Sequence, residues 1–157
     1  MKGRPDETLD ETWEAFNRSL PPNDETTYNF AICLRDTGEF VGMGGRHNLV
    51  QEFGWPEVGY MFKKEVWGRG YATEFLRAWL GVYEALPREE VEVLVHRGTV
   101  VGGEGGRARE VLIAVTAETN ARSQGVLRKC GFEGIMIREV EDGRGVVRLP
   151  VFGRLWG

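Results

Sequence analysis

Five consecutive apolar residues, Val111-Leu112-Ile113-Ala114-Val115, stand between Glu110 and Thr116. A strand apolar on both faces has to be covered on both, so it belongs inside a sheet that other elements enclose. The rest of the chain supplies those elements. Residues 8–20 read as an amphipathic helix: Leu9, Trp13, Phe16 and Leu20 share a face, Thr8-x-x-Glu11 has the form of a capping box, and Pro21-Pro22 stops it. Residues 27–35 alternate, with Tyr28, Phe30, Ile32 and Leu34 on one side, as a half-buried strand does. Asp36-Thr37-Gly38-Glu39 turns it back into a second strand from Phe40 to about Leu49, where Gly42, Gly44 and Gly45 predict a bulge or a close backbone approach. A loop leads to a third strand, Glu57–Phe62. A helix follows whose Ala72, Phe75, Leu76, Trp79, Leu80 and Tyr83 fit the i, i+3, i+4, i+7 stripe, closed by Pro87.

Beyond that helix, Val91, Val93 and Val95 alternate like a short strand and 101–107 reads as a mobile glycine-rich loop. After the buried strand, Asn120 caps a last helix with Ser123, Val126, Leu127 and Cys130 on one face and Gly131 as its left-handed stop. Phe132–Val140 and Val146–Phe152 form a closing hairpin. The order predicts one domain over residues 1–157, a single mixed α/β sheet with helices on its faces.

Composition removes several functions. No apolar run approaches the ~20 residues of a membrane helix, and the charged start Met1-Lys2-Gly3-Arg4-Pro5-Asp6-Glu7 has no apolar stretch behind it, so a cytoplasmic protein is expected. A formal net charge of −4 argues against non-specific nucleic-acid binding. Two cysteines, Cys33 and Cys130, and two histidines, His47 and His96, make no ligand cluster, so no metal is expected.

Glycine is the exception, 22 of 157 residues, about twice the usual share. In Phe62-Lys63-Lys64-Glu65-Val66-Trp67-Gly68-Arg69-Gly70-Tyr71-Ala72-Thr73 a strand enters a glycine turn that opens a helix. Such a turn leaves backbone N–H groups pointing outward at the positive end of a helix dipole, suited to phosphate. It is not a Rossmann fingerprint, lacking the third glycine, nor a P-loop, lacking Gly-Lys-Ser/Thr. By itself a Gly-x-Gly turn serves packing equally well. A second motif stands downstream: Asn120-Ala121-Arg122-Ser123-Gln124-Gly125-Val126-Leu127-Arg128-Lys129-Cys130-Gly131-Phe132.

Together the two motifs resemble the GNAT superfamily of N-acetyltransferases, in particular the branch of ribosomal-protein alanine acetyltransferases. Trp67 to Glu74 match that branch's phosphate loop; Asn120, Ser123, Leu127, Lys129, Gly131 and Phe132 match its second motif. The likeness covers roughly residues 3–153, with a glycine-rich insertion at about 88–109, and implies an α/β fold with a central, mostly antiparallel sheet and helices on both faces. It implies acetyl-CoA as cosubstrate, held where Glu57–Phe62 and Val111–Val115 splay apart, and direct transfer of acetyl to an amine acceptor. The amides of Gly68, Arg69, Gly70, Tyr71, Ala72 and Thr73 would take the pyrophosphate, and a backbone amide near Met61 or Phe62 would face the thioester oxygen. Asn120 and Ser123 would contact the pantetheine arm near the sulfur, although the same positions suit a plain helix cap and a small helix residue. Glu57 is the candidate base for the amine proton, with His47 second; otherwise Glu57 is an exposed strand-end carboxylate. The resemblance also implies departures. Leu127 stands where many members have a tyrosine acid, leaving that role to Ser123, to water or to no group at all. Glu65 replaces the usual Gln or Arg, and the family's first strand and first helix are expected to be missing in front of Met1–Leu20. An N-acetyltransferase, monomer or homodimer, is the leading expectation. A CoA-binding module without turnover and a domain that merely keeps the fold are the alternatives.

Overall fold

The computed structural model describes residues 7–17, 20–22, 24, 27–46, 53–141, 143 and 145–155; His47 and the expected run of the second strand to Leu49 lie outside them. The first helix, α1, covers Leu9–Asn17. Thr8 Oγ1 accepts from the Glu11 amide at 3.2 Å, and Glu11 Oε2 accepts from the Glu7 amide at 3.0 Å. The second half of the expected box thus lands one residue earlier than the sequence pattern places it. Leu9, Trp13 and Phe16 share a face as periodicity predicts, yet all three are exposed.

Three antiparallel strands follow: β1 (Tyr28–Cys33), β2 (Phe40–Arg46) and β3 (Val58–Phe62), in that spatial order. Both expected effects of the β2 glycines occur. The register shifts between Ile32 and Cys33, so that Val41 is the extra residue on β2. Gly45 has φ +139° and lies so close to β1 that a Cβ on it would run into the Tyr28 carbonyl oxygen.

Helix α2 (Tyr71–Glu84) then leads through an irregular stretch to a 3₁₀ turn at Arg97–Thr99 and a two-stranded hairpin, β4 (Gly103–Glu104) with β5 (Arg107–Ala108). Val91, Val93 and Val95 do not form a strand: Val91, Val93 and Leu94 face solvent, and the tie to the neighbouring segment is the His96 amide on the Phe53 carbonyl. Alternation makes a strand only where an open edge accepts it. The buried strand β6 (Val111–Val115) pairs with β8 (Val146–Leu155), which pairs in turn with β7 (Glu133–Glu141), all antiparallel. Helix α3 (Ala121–Lys129) ends as expected. Gly131 sits at φ +80°, its amide donates to the Arg128 carbonyl and that of Phe132 to the Leu127 carbonyl, the two bonds of a Schellman stop.

β6 explains the layering. Leu112 and Ala114 face α2 and α3 in a cluster with Val58, Leu76, Trp79, Leu80, Leu127, Phe132 and Phe152. Val111 and Ile113 face the other way, against Phe53, Trp55 and Val151. Thr99 closes that second cluster by accepting from the Trp55 indole at 2.9 Å.

The end of α2 carries a titration signature. Tyr83, stacked on Trp79 with ring centroids 4.6 Å apart, donates to Glu110 Oε1 at 3.2 Å, and Arg88 bonds Glu110 Oε2 at 3.1 Å. Burial, then the Glu110 charge, pushes the Tyr83 phenol up to about 12. The folded chain therefore keeps a proton that the unfolded chain gives up near its ordinary value of ~10. This contribution is whole below pH ~10 and is lost as pH rises toward ~12, on the order of 2–3 kcal/mol in all. Urea melts across that window should show stability falling steeply in the natural chain and more gently in Tyr83→Phe.

Candidate active site

β3 and β6 run parallel and touch at one bridge, Glu57 to Ile113, where the Ile113 amide donates to the Pro56 carbonyl at 2.9 Å. Beyond it the strands part, because β3 is paired to β2 and β6 to β8. Antiparallel pairing alternates, and the Lys63 amide bonds the Val41 carbonyl of β2. Odd-numbered amides of β3, Met61 included, therefore turn toward β2, and those of Tyr60 and Phe62 turn toward the gap. Glu57 sits half-buried where the gap closes.

At the far end of β3 the chain makes a 3₁₀ turn, Lys64–Val66, and then the glycine turn. The exposed Trp67 pins that turn by donating its indole N–H to the Phe62 carbonyl at 2.8 Å. Arg122, in the first turn of α3, lies 5.8 Å from the Trp67 ring and so spans the mouth of the gap. Gly68 and Gly70 take φ +78° and +88°, a region L side chains rarely adopt, and a Cβ on either would meet no protein atom within 4 Å. Helix α2 begins there without a side-chain cap. The Thr73 and Glu74 amides bond the Gly70 carbonyl, whereas those of Gly68, Arg69, Gly70, Tyr71 and Ala72 have no acceptor among the described residues. Five free N–H groups on a dipole's positive end, with open space above two glycines, suit a phosphate group. A cavity of about 510 Å³, lined by Gly70, Thr73, Glu74, Arg77 and Lys129, opens beside them.

From the other side α3 brings the second motif. Asn120 is a helix cap: its side-chain oxygen accepts from the Ser123 amide at 3.1 Å, leaving the carboxamide nitrogen for other contacts. Ser123 Oγ lies 2.9 Å from the Tyr60 hydroxyl across the gap. Burial, partly offset by this hydrogen bond, raises the Tyr60 phenol above its ordinary value. Leu127, one turn on, is in the core. The structure thus joins β3 to Ser123, and the glycine turn to α3 through Trp67 and Arg122. Tyr60 is the residue that sequence reasoning passed over. It alternates with Val58 and Phe62 like any position on one face of a strand, and the one available signal is its polar tip among apolar neighbours.

A parted pair of parallel strands in a mixed sheet, with free amides at the helix that follows, defines the acyl-CoA acyltransferase class. The sequence agrees: residues 1–133 match the family described as Acetyltransferase (GNAT) domain. The chain belongs to the GNAT family and carries the domain of acetyl-CoA-dependent N-acetyltransferases. A 45-residue stretch, 29% of this chain and 25% of the other, is 38% identical to the uncharacterized N-acetyltransferase p20 of Bacillus licheniformis, so a quarter of that protein is matched. The fold is similar to a Bordetella pertussis protein assigned to the GnaT acetyltransferase family, with TM-score 0.70 and 21% identity over 97% of this chain and 80% of that one. It is also similar to a GNAT-family acetyltransferase of Bacillus anthracis, with TM-score 0.65 and 19% identity over 94% and 75%. A spermidine N-acetyltransferase variant of Vibrio cholerae aligns with TM-score 0.66 and 15% identity over 99% and 79%.

Proposed function

We propose that this chain transfers the acetyl group of acetyl-CoA directly to a primary amine, either a protein N-terminus or a small-molecule amine. The observation that carries the reading is the row of free amides from Gly68 to Ala72 beside the gap between β3 and β6. Those amides hold the pyrophosphate, the expected Thr73 amide being spent on the Gly70 carbonyl, and Arg69 adds positive charge there. The Phe62 amide, directed into the gap, supports the carbonyl oxygen of the thioester as it gains charge. The cosubstrate supplies an activated acyl group; the chain's own residues position it and take the amine's proton. Glu57 accepts that proton, directly or through water, from the half-buried closed end of the gap. Asn120 and Ser123 border the pantetheine arm, with the Ser123 hydroxyl near the sulfur. Spermidine, named for one structural neighbour, is a reasonable first acceptor because the acidic chain favours cationic amines.

Calorimetric titration with acetyl-CoA, with dephospho-CoA and ATP as comparators, tests the reading. Saturable binding of acetyl-CoA and none of ATP is expected, followed by CoA release with at least one amine of a panel. On that amine Glu57→Gln should lower kcat by about a hundredfold, the scale of a lost general base. Tight binding without CoA release across the panel would make the chain a CoA-binding module instead. No binding would remove the cofactor assignment.

A further inference from the structure

Tyr60 and Ser123 come from different elements, β3 and α3, and meet at 2.9 Å on the two sides of the gap. The Tyr60 hydroxyl has a second acceptor in reach, the Ser123 backbone carbonyl, at 3.4 Å. Either hydroxyl can donate across the 2.9 Å contact; a phenol is the stronger acid and the poorer acceptor of the two, which favours donation from Tyr60 to Ser123 Oγ. The Oγ has no other partner among the described residues. A serine in the first turn of a helix ordinarily spends its hydroxyl on a nearby backbone group. With the phenol donating, Ser123 accepts from Tyr60 and its own proton is free to turn into the gap. Two hydroxyls in a chain polarise one another, so the outer one is the better donor.

We propose that Tyr60 is a positioning residue: its phenol donates to Ser123 Oγ across the β3–α3 gap and so aims the Ser123 proton at the sulfur of bound CoA. This rests on the reading that places Ser123 beside that sulfur. No proton has to change hands. The hydrogen bond from Ser123 disperses charge as it builds on sulfur, and the Tyr60 contact holds the hydroxyl in the orientation that provides it. Tyr60 suits this because its ring packs edge-on against Phe62, centroids 6.3 Å apart, and Phe62 packs in turn against Phe75 at 6.3 Å. Its raised phenol stays protonated where a thiol ionises, and the titratable neighbour acting on it is the Cys130 thiol, itself raised by burial.

The test needs no acceptor amine. CoA has a thiol, with an ordinary value of ~8.5, and acetyl-CoA has none. A donor aimed at sulfur stabilises the thiolate, lowering the bound thiol's pKa, so CoA affinity rises with pH relative to acetyl-CoA. Effects of pH on the shared phosphates and on the protein cancel in the ratio. Calorimetry with CoA and acetyl-CoA at about pH 7 and about pH 9.5 should show the CoA to acetyl-CoA affinity ratio rising roughly tenfold in the natural chain, the scale of one hydrogen bond to a charged group. Tyr60→Phe keeps the ring and should cut that rise to threefold or less, leaving acetyl-CoA affinity at pH 7 within about twofold and the melting temperature within a few degrees. Ser123→Ala should abolish the rise, and the double variant should match Ser123→Ala alone.

A full rise in Tyr60→Phe alongside its loss in Ser123→Ala would overturn the proposal while leaving Ser123 at the sulfur. An absent rise in the natural chain, or one that survives Ser123→Ala, would remove Ser123 from the sulfur and the proposal with it. If Tyr60→Phe does not fold, Ser123→Thr decides. It keeps the hydroxyl, and loss of the rise there would mean that Oγ is not held by the Tyr60 contact.

Discussion

Gly70→Val should bind acetyl-CoA at least about a hundredfold more weakly than the natural chain while remaining folded. The two halves of that expectation have separate causes. Gly70 sits at φ +88° with nothing of the protein within 4 Å of a Cβ, so the protein meets only backbone strain of roughly 1–3 kcal/mol. The new side chain would stand over the free amides of the turn and hold the pyrophosphate away. Losing even one or two hydrogen bonds to a charged group, each worth about 1.5–3 kcal/mol, is enough for the stated loss. Gly81→Ala is the control. It lies within α2, meets nothing within 4 Å, and should be slightly more stable with unchanged binding. Calorimetry with acetyl-CoA, beside thermal melts of both variants, reads the result. A folded Gly70→Val chain that binds normally would show that the pyrophosphate lies elsewhere.

Gly45→Ala should be the most destabilising single-methyl change in the first sheet. Its φ of +139° is a conformation only glycine takes readily, and the added Cβ would collide with the Tyr28 carbonyl oxygen and crowd the Asn29 Cα of β1. Neither obstacle is the end of a flexible side chain, so β1 and β2 would have to separate. Tyr28 is also where β1 is tied to α2, since the Trp79 indole donates to its carbonyl at 3.1 Å. A cost of about 4 kcal/mol or more is expected, a large part of the 5–15 kcal/mol that a domain has in total, with a melting temperature lower by roughly 10 °C or more. Gly38→Ala separates dihedral from contact. It has φ +70° and open space around it, so it should cost only about 1 kcal/mol. If both variants melt alike, the strand yields and the close approach is not what requires glycine at 45.

These two glycines also mark how far the sequence could be read. Both stood out in the chain, Gly70 in a strand–turn–helix motif and Gly45 in a glycine-weakened strand. The motif was legible because a turn that frees backbone amides is a local matter of φ and of a helix beginning at a known point. Spacing likewise predicted the Asn120 cap and the Gly131 stop, each settled within one turn of α3. Burial was legible where both faces of a strand were apolar, as in β6. It was not legible where one face depended on a partner: the α1 stripe formed its helix and stayed exposed, and the valines at 91, 93 and 95 alternated without an edge to join.

What the sequence determined by itself was therefore what neighbours along the chain decide: periodicity, caps, stops, the glycine turn and the family those motifs mark. Tertiary structure alone decided what depends on distant segments meeting. The parting of β3 from β6 arises because each strand bonds a different sheet, and the turning of Phe62's amide toward that gap follows from the register with β2. The meeting of Tyr60 with Ser123, 63 positions apart, is of the same kind. No local pattern encodes such a contact, because the free energy that holds it comes from the packing of α2 and α3 on the sheet.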